Sequence, residues 1–130
     1  MQDLVSLNVP AEPNYARSVR MLAATLAVSC GMSVDDVEDV RMAAEEGFVY
    51  ACSTAPKSCG ISFELAPNEV TIDFSLGLNE ADPDQDNEAE LAGDLDLVAL
   101  LLEAVCDEFS LMDSDEGSYL HLVKRTAHVE

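Results

Sequence analysis

Two side chains near the middle of the chain, Glu46 and Tyr50, have the spacing of a small chemical site. Both fall in a predicted helix, where residues four apart share one face, so both side chains point toward one place. A glutamate there could act as a general base. A phenol, with a pKa of about 10, is a poor ligand for a hard cation at neutral pH. The plainer interpretation is that Glu45 and Glu46 are solvated carboxylates and Tyr50 is a half-buried packing residue.

The surrounding sequence, Val-Arg-Met-Ala-Ala-Glu-Glu-Gly-Phe-Val-Tyr-Ala at 40–51, resembles the anti-sigma factor and serine-protein kinase family of the Bergerat (GHKL) ATPase fold, as does Val-Pro-Ala-Glu-Pro at 9–13. In that family a Glu is the general base toward the acceptor hydroxyl, and an Asn four residues later holds the magnesium that bridges the ATP phosphates. Glu46 matches the Glu position. Tyr50 stands at the Asn position, where its ring would fill much of the space that metal and phosphates need.

A second nucleotide-contacting motif of the family ends the strand ahead of the lid, with an Asp that receives the adenine amino group. Here that strand ends Ile-Asp-Phe-Ser-Leu-Gly-Leu, so Phe74 or Ser75 stands at the Asp position. Asp73 is the nearest carboxylate, but strand alternation places it on the face opposite Phe74 and on the same face as Ser75. The resemblance leaves Asp73, Ser75 and Gly77 as candidate positions of a degenerate ATP pocket.

A third motif of the family uses glycines to bring backbone N–H groups close to the phosphates at the start of the third helix. Only Gly93 survives there, and it is out of register. Asp94 and Asp96 beside it suit a helix N-terminus but would repel a triphosphate. The chain has no Lys or Arg between Lys57 and Lys124 to offset them.

Other kinds of site have weaker patterns. Asp-Pro-Asp-Gln-Asp-Asn at 82–87 begins like a calcium loop, but Asn87 replaces the turn glycine and Gly93 stands where a bidentate Glu is needed. His121 lies in the last predicted strand and no nucleophile is paired with it in the sequence; a Ser/His/Asp arrangement stays open. The four cysteines lack the spacing of a zinc or redox motif, which predicts free thiols and no metal site.

Composition limits the class of protein. A chain of 130 residues with 48% hydrophobic content is long enough for one domain with a core. Its 26 acidic and 6 basic residues give a formal charge of −20, which should repel nucleic acids and anionic membranes. Such acidity also occurs across salt-adapted proteomes. No signal peptide or membrane-spanning run is visible, so we expect a cytoplasmic protein.

The sequence pattern predicts a single α+β domain over 1–130, a two-layer sandwich with a mostly antiparallel five-stranded sheet and three helices on one face. Ser33 and Asp36 form a capping-box-like start for the second helix. The acidic stretch at 79–94 is predicted to be a mobile, lid-like loop. The predicted elements are strand 4–9, helix 14–29, a helix from Ser33 toward Cys52, hairpin strands 59–65 and 70–76, helix 95–108 and a closing hairpin of 109–111 and 118–124.

Three functions follow as hypotheses. The resemblance implies a bacterial regulator of transcription that binds sigma factors or antagonists of the STAS class, with homodimers among its assemblies. The departures from the family motifs at Tyr50, Phe74 and Gly93 favour a pseudokinase that binds partners and needs no cofactor. The second hypothesis is an active serine-protein kinase that uses ATP and Mg, with Glu46 as base. The third is a small-ligand or metal-binding module in the emptied pocket, lined by Tyr50, Phe74 and Ser75.

Overall fold

The computed structural model describes residues 3–54, 57–77, 88–114 and 117–126, with side chains left out of the description at 88–96 and 114. A 3-10 turn, Pro13–Tyr15, precedes the first helix. In chain order the elements are β1 (Asp3–Pro10), α1 (Ala16–Ser29), α2 (Val34–Ser53), β2 (Ser58–Ala66), β3 (Glu69–Ser75), α3 (Glu88–Val105), β4 (Glu108–Ser114) and β5 (Gly117–Arg125).

The five strands form one sheet in the order β1-β2-β3-β5-β4, and each neighbouring pair is antiparallel. The β2–β3 hairpin turns at Asn68, whose φ of 64° is tolerated better by asparagine than by most other residues. α2 contacts β2, β3 and β5, while α1 and α3 pack against α2. The predicted α+β fold, with a five-stranded antiparallel sheet and three helices, is confirmed.

The central helix, α2, begins where the capping pattern predicts. Ser33 Oγ accepts a hydrogen bond from the Asp36 backbone N–H at 3.1 Å, and Asp35 and Asp36 place negative charge at the positive end of the helix dipole. The helix buries small residues against its neighbours, including Ala43 and Ala44. Their size lets the helix approach the sheet closely.

The core lies between the sheet and the helices. Alternation along each strand directs its apolar residues to this side, so the opposite face of the sheet carries mainly polar side chains and no helix of the described part of the chain. The largest fully buried side chains are Phe48, Phe63, Phe74, Ile61, Leu102, Leu120 and Leu122.

The boundaries around the third helix differ from the prediction. α3 starts at Glu88, so residues 88–94 of the predicted loop are helical, and it ends at Val105 rather than 108. The acidity of this stretch is typical of a loop, but carboxylates in the first turn of a helix are also favoured by the helix dipole, which accounts for the difference. The rest of the predicted loop, 79–87, and the calcium-like stretch within it lie outside the described residues.

Strand β4 is also longer than predicted, Glu108–Ser114 instead of 109–111.

In the described part of the chain, no helix has the length and apolar character that crossing a membrane requires.

Candidate functional site

The site predicted from the resemblance centres on α2. Glu46 is half-buried, whereas Tyr50, one turn later on the same helix, is only 3% exposed. The Tyr50 carbonyl accepts a hydrogen bond from Ser53 Oγ at 2.6 Å. The tyrosine is therefore more deeply buried than the half-buried packing residue that the plainer interpretation expected.

Between these two residues, Gly47 faces the sheet at Phe74. A Cβ at position 47 would lie 2.5 Å from Phe74 Cε1, closer than real side chains come. Phe74 itself is completely buried. At one of the two positions where the resemblance expects a carboxylate for adenine, the chain thus has an aromatic ring packed against the helix that carries Glu46 and Tyr50.

Asp73 and Ser75 flank Phe74 and project from the other face of β3, as strand alternation predicts. Asp73 Oδ1 lies 2.6 Å from His121 Nδ1, and the two residues are direct partners across β3 and β5. Ser75 Oγ accepts a hydrogen bond from the Gly60 backbone N–H at 2.8 Å. Asp73 and Ser75 therefore lie on the face of the sheet opposite Phe74, away from α2, which carries Tyr50.

Gly77 lies on the α2 side instead. Its backbone N–H donates to Thr54 Oγ1 at 2.8 Å, and the same hydroxyl donates to the Ala51 carbonyl at 2.6 Å. Thr54 is buried, so this hydroxyl satisfies two polar backbone groups that water does not reach. The contact fastens the end of β3 to the C-terminal end of α2, one turn from Tyr50.

Gly93 is positioned differently from the expectation. It lies inside α3, five residues after the helix begins at Glu88, so Gly93, Asp94 and Asp96 are not at a helix start. Backbone N–H groups inside a helix are engaged with carbonyls four residues earlier and do not point at a ligand. The backbone at 93 therefore lacks the arrangement that a phosphate-binding helix N-terminus offers.

The helix-free face of the sheet has a groove of about 550 Å³. It is lined by Ser6, Leu7, Asn8, Gly60, Ile61, Ser62, Asp73, Ser75 and Tyr119. The strand register also places Ser110 opposite His121, and its hydroxyl donates to Met112 Sδ at 3.3 Å. With both partners about 30% exposed, the Asp73–His121 contact has the character of a surface pair, which contributes about 0–1 kcal/mol.

A charged cluster that the sequence analysis did not anticipate holds α2 to the sheet. Lys124 Nζ lies 2.9 Å from Asp39 Oδ2 and 3.7 Å from Asp36 Oδ1, and its side chain is only 13% exposed. Burial alone would lower the pKa of Lys124, but its hydrogen bond to Asp39 and the nearby carboxylates outweigh burial and raise the pKa. The only sign of this cluster in the sequence is a single lysine in a predicted strand, and its nearer partner, Asp39, lies 85 residues away in the chain.

A second ion pair joins the first two helices, with Arg20 Nη1 3.1 Å from Glu45 Oε1. Glu45 is therefore a tether between α1 and α2 and not merely a solvated carboxylate. The apolar spacing that predicts α1 carries no information about Arg20, because its partner lies in another helix.

The thiols are poor nucleophiles. Burial raises the pKa of Cys59 to about 11 and that of Cys106 to about 12, so both are protonated at neutral pH. All four cysteines are free, and the described residues contain no group of three His, Cys, Asp or Glu side chains that could hold a metal ion.

Comparison with known proteins finds similar chains both by sequence and by structure. The serine-protein kinase RsbW of Bacillus velezensis is 36% identical over 53 residues, which are 41% of this chain and 31% of that protein. The crystal structure of the RsbU and RsbW domains of a Mycobacterium tuberculosis protein superimposes with a TM-score of 0.64 at 20% identity, covering 95% of this chain and 32% of the other. No protein-family model matches.

Both matches agree on the kind of domain. The chain spans about a third of the length of each of these two proteins. The structural match shows the fold, and the sequence match adds an RsbW kinase as a relative over part of the chain. The chain therefore shares its fold with part of the RsbU–RsbW structure and a stretch of sequence with an RsbW kinase, in agreement with the resemblance at 40–51.

Proposed function

We propose that this protein is a regulator of the anti-sigma factor type that acts by binding another protein and not by transferring phosphate from ATP. The observation that carries the proposal is the packing of Phe74 against Gly47, next to Tyr50. Tyr50 is buried at the position where the related kinases, by resemblance, use an Asn for magnesium, and Phe74 is buried at one of the two positions that could match their Asp for adenine.

Electrostatics supports the same conclusion. The sequence has no Lys or Arg between Lys57 and Lys124, and the net charge is −20. Lys124 and Arg20 are engaged with carboxylates of α2. A triphosphate placed near α3 would meet carboxylates of like charge with no free cation supplied by that stretch of sequence.

The partner class follows from the likeness to RsbW, a serine-protein kinase by name. We propose a sigma factor or a STAS-class antagonist as partner, with a homodimer as the working assembly. A chain that binds such a partner without ATP would regulate by occupancy alone, so its output would depend on the partner's concentration and not on nucleotide levels.

Calorimetry with Mg-ATP tests the proposal, with the Bacillus velezensis RsbW as positive control. We expect no heat of binding at millimolar nucleotide, while the control binds. Saturable binding at micromolar Mg-ATP would overturn the proposal and favour the active kinase, in which the half-buried Glu46 is the base. In that case a Glu46→Gln variant tests whether Glu46 is the base of an active kinase, because loss of the base abolishes phosphate transfer but leaves nucleotide binding intact.

A further inference from the structure

We infer that the outer face of α3 is a docking surface for a basic amphipathic segment of a partner protein. The inference rests on the proposed binding function and adds where the partner binds and what chemistry it has. The α3 face is defined here as Leu97, Leu100, Leu101 and Ala104.

The α3 face is apolar and open. Leu97 is 63% exposed, Leu100 is 67% and Leu101 is 38%, and Ala104 is exposed as well. Their spacing of three, four and seven residues puts them on one stripe of the helix. The stripe that packs inward is a different one, with Leu102 fully buried and Val105 nearly so.

The apolar surface continues onto the neighbouring strand. α3 contacts β4, the edge strand of the sheet. Leu111 pairs with the buried Leu120, so it lies on the helix-bearing side of the sheet, and it is 42% exposed. Clustered exposed leucines of this kind mark interaction sites more often than scattered ones do.

The acidic composition of α3 indicates which kind of partner segment would bind to its apolar face. α3 contains Glu88, Glu90, Asp94, Asp96 and Glu103, and it has no Lys or Arg. Its last turn has no basic residue, so the negative end of the helix dipole is not compensated from within the helix. A second copy of this chain would place the same acidic α3 against this one, which opposes self-association through the α3 face and leaves other faces available for a homodimer. A partner with apolar side chains flanked by Lys or Arg matches both the leucines and the charge.

The test uses a fluorescein-labelled peptide with Leu and Lys at amphipathic helical spacing and follows its anisotropy. A scrambled peptide of the same composition reports binding by charge alone, and a version with Glu in place of Lys reports binding by apolar contact alone. We expect the wild-type chain to bind the first peptide best, with affinity that falls as salt rises.

Variants locate the site. Replacing Leu97 and Leu100 by Ser removes apolar surface and leaves the charge unchanged, so we expect affinity to fall about tenfold or more. Val28→Ser on α1 is the matched control, since Val28 is 61% exposed, and it should bind like wild type. Circular dichroism verifies that each variant is folded.

Four outcomes would overturn the inference. These are no binding of the amphipathic peptide at low salt, equal binding of the scrambled peptide, equal loss in Val28→Ser, or a wild-type dimer in sedimentation that Leu97→Ser with Leu100→Ser dissociates. The last result would assign the α3 face to a second copy. Nucleotide binding in the calorimetric test would reject the proposed function while leaving the peptide result interpretable.

Discussion

Phe74 and Gly47 occupy one space between the sheet and the central helix: a Cβ on residue 47 would be 2.5 Å from Phe74 Cε1 and 3.0 Å from Cζ. The Phe74 ring thus occupies the space that a side chain on residue 47 would need. The pairing places an aromatic ring of the core at one of the two positions where the resemblance expects a carboxylate.

Gly47→Ala should destabilise the protein. Alanine favours a helix more than glycine does, by about 1 kcal/mol, but the clash with the fully buried Phe74 costs about 1–3 kcal/mol and should exceed that gain. Urea denaturation of wild type, Gly47→Ala, Phe74→Leu and the double variant measures the coupling. If the double variant showed only the sum of the single effects, the two residues would not share this space.

Neighbouring residues on β3 should respond very differently to truncation. Phe74→Ala removes a buried ring and should lower the free energy of unfolding by about 3–5 kcal/mol. Asp73→Ala removes only the surface pair with His121 and should cost at most about 1 kcal/mol. Chemical denaturation of both variants provides the measurement, and comparable losses would contradict the assignment of the two side chains to opposite faces.

Tyr50→Asn alone should not create tight binding of Mg-ATP. The substitution supplies the amide that the related kinases are expected to use, but Phe74 remains in place and Gly93 remains inside α3. Each missing charge-assisted contact costs about 1.5–3 kcal/mol, so one restored ligand cannot compensate for several. Calorimetry is the measurement, with circular dichroism as a check of folding. Micromolar binding by this single variant would mean that the other nucleotide contacts are intact.

Stability should fall in alkaline solution. The ordinary thiol pKa is 9.0, and burial raises that of Cys59 to about 11, so between these values the unfolded chain loses a proton that the folded chain keeps. Stability then decreases as pH rises. Lys124, whose pKa is also raised from 10.5, contributes in the same direction at still higher pH, where its favourable pairing with Asp39 is lost. Cys59→Ala should flatten the decline in the free energy of unfolding between pH 9 and about 11. An unchanged slope in that variant would exclude Cys59 as its source.

Added salt should raise the melting temperature. A charge of −20 on one domain produces self-repulsion that ions screen, and at 0.1 M the screening length is already about 10 Å. For a chain of this size each kcal/mol of stabilisation shifts the melting temperature by roughly 4 °C. Scanning calorimetry from millimolar to molar NaCl measures the effect. A melting temperature that does not change over this range would show that the carboxylates are already balanced locally.

Local patterns in the sequence were sufficient for much of the fold. The alternation in β2 and β3 and the Ser33 cap each depend on residues close together in sequence, and the structure has all of them. The start of α3 differs from the prediction because acidity such as that of 88–94 is typical of a loop, whereas carboxylates are also favourable in a first helical turn.

Local sequence patterns predict less of the candidate site, because most of its contacts join residues that are far apart in the chain. Asp73 was correctly placed on the face opposite Phe74, since alternation is a local rule. Its pairing with His121 requires the register between β3 and β5, which the sequence does not state. Lys124 with Asp39 and Arg20 with Glu45 are likewise contacts between distant elements. The roles of Glu46 as a base and of Gly77 in a nucleotide pocket stay predictions.

The order of strands in the sheet determines how much the length of each connection affects the stability of the fold. Asp73 and His121 meet across β3 and β5 although 48 positions separate them in sequence. Since the entropy of closing a chain grows with the logarithm of its length, doubling the connection costs only about 0.6 kcal/mol. Lengthening the chain between Asp73 and His121 therefore changes the entropic cost of this pairing little, whereas the pairing of β2 with β3 depends on a short turn at Asn68.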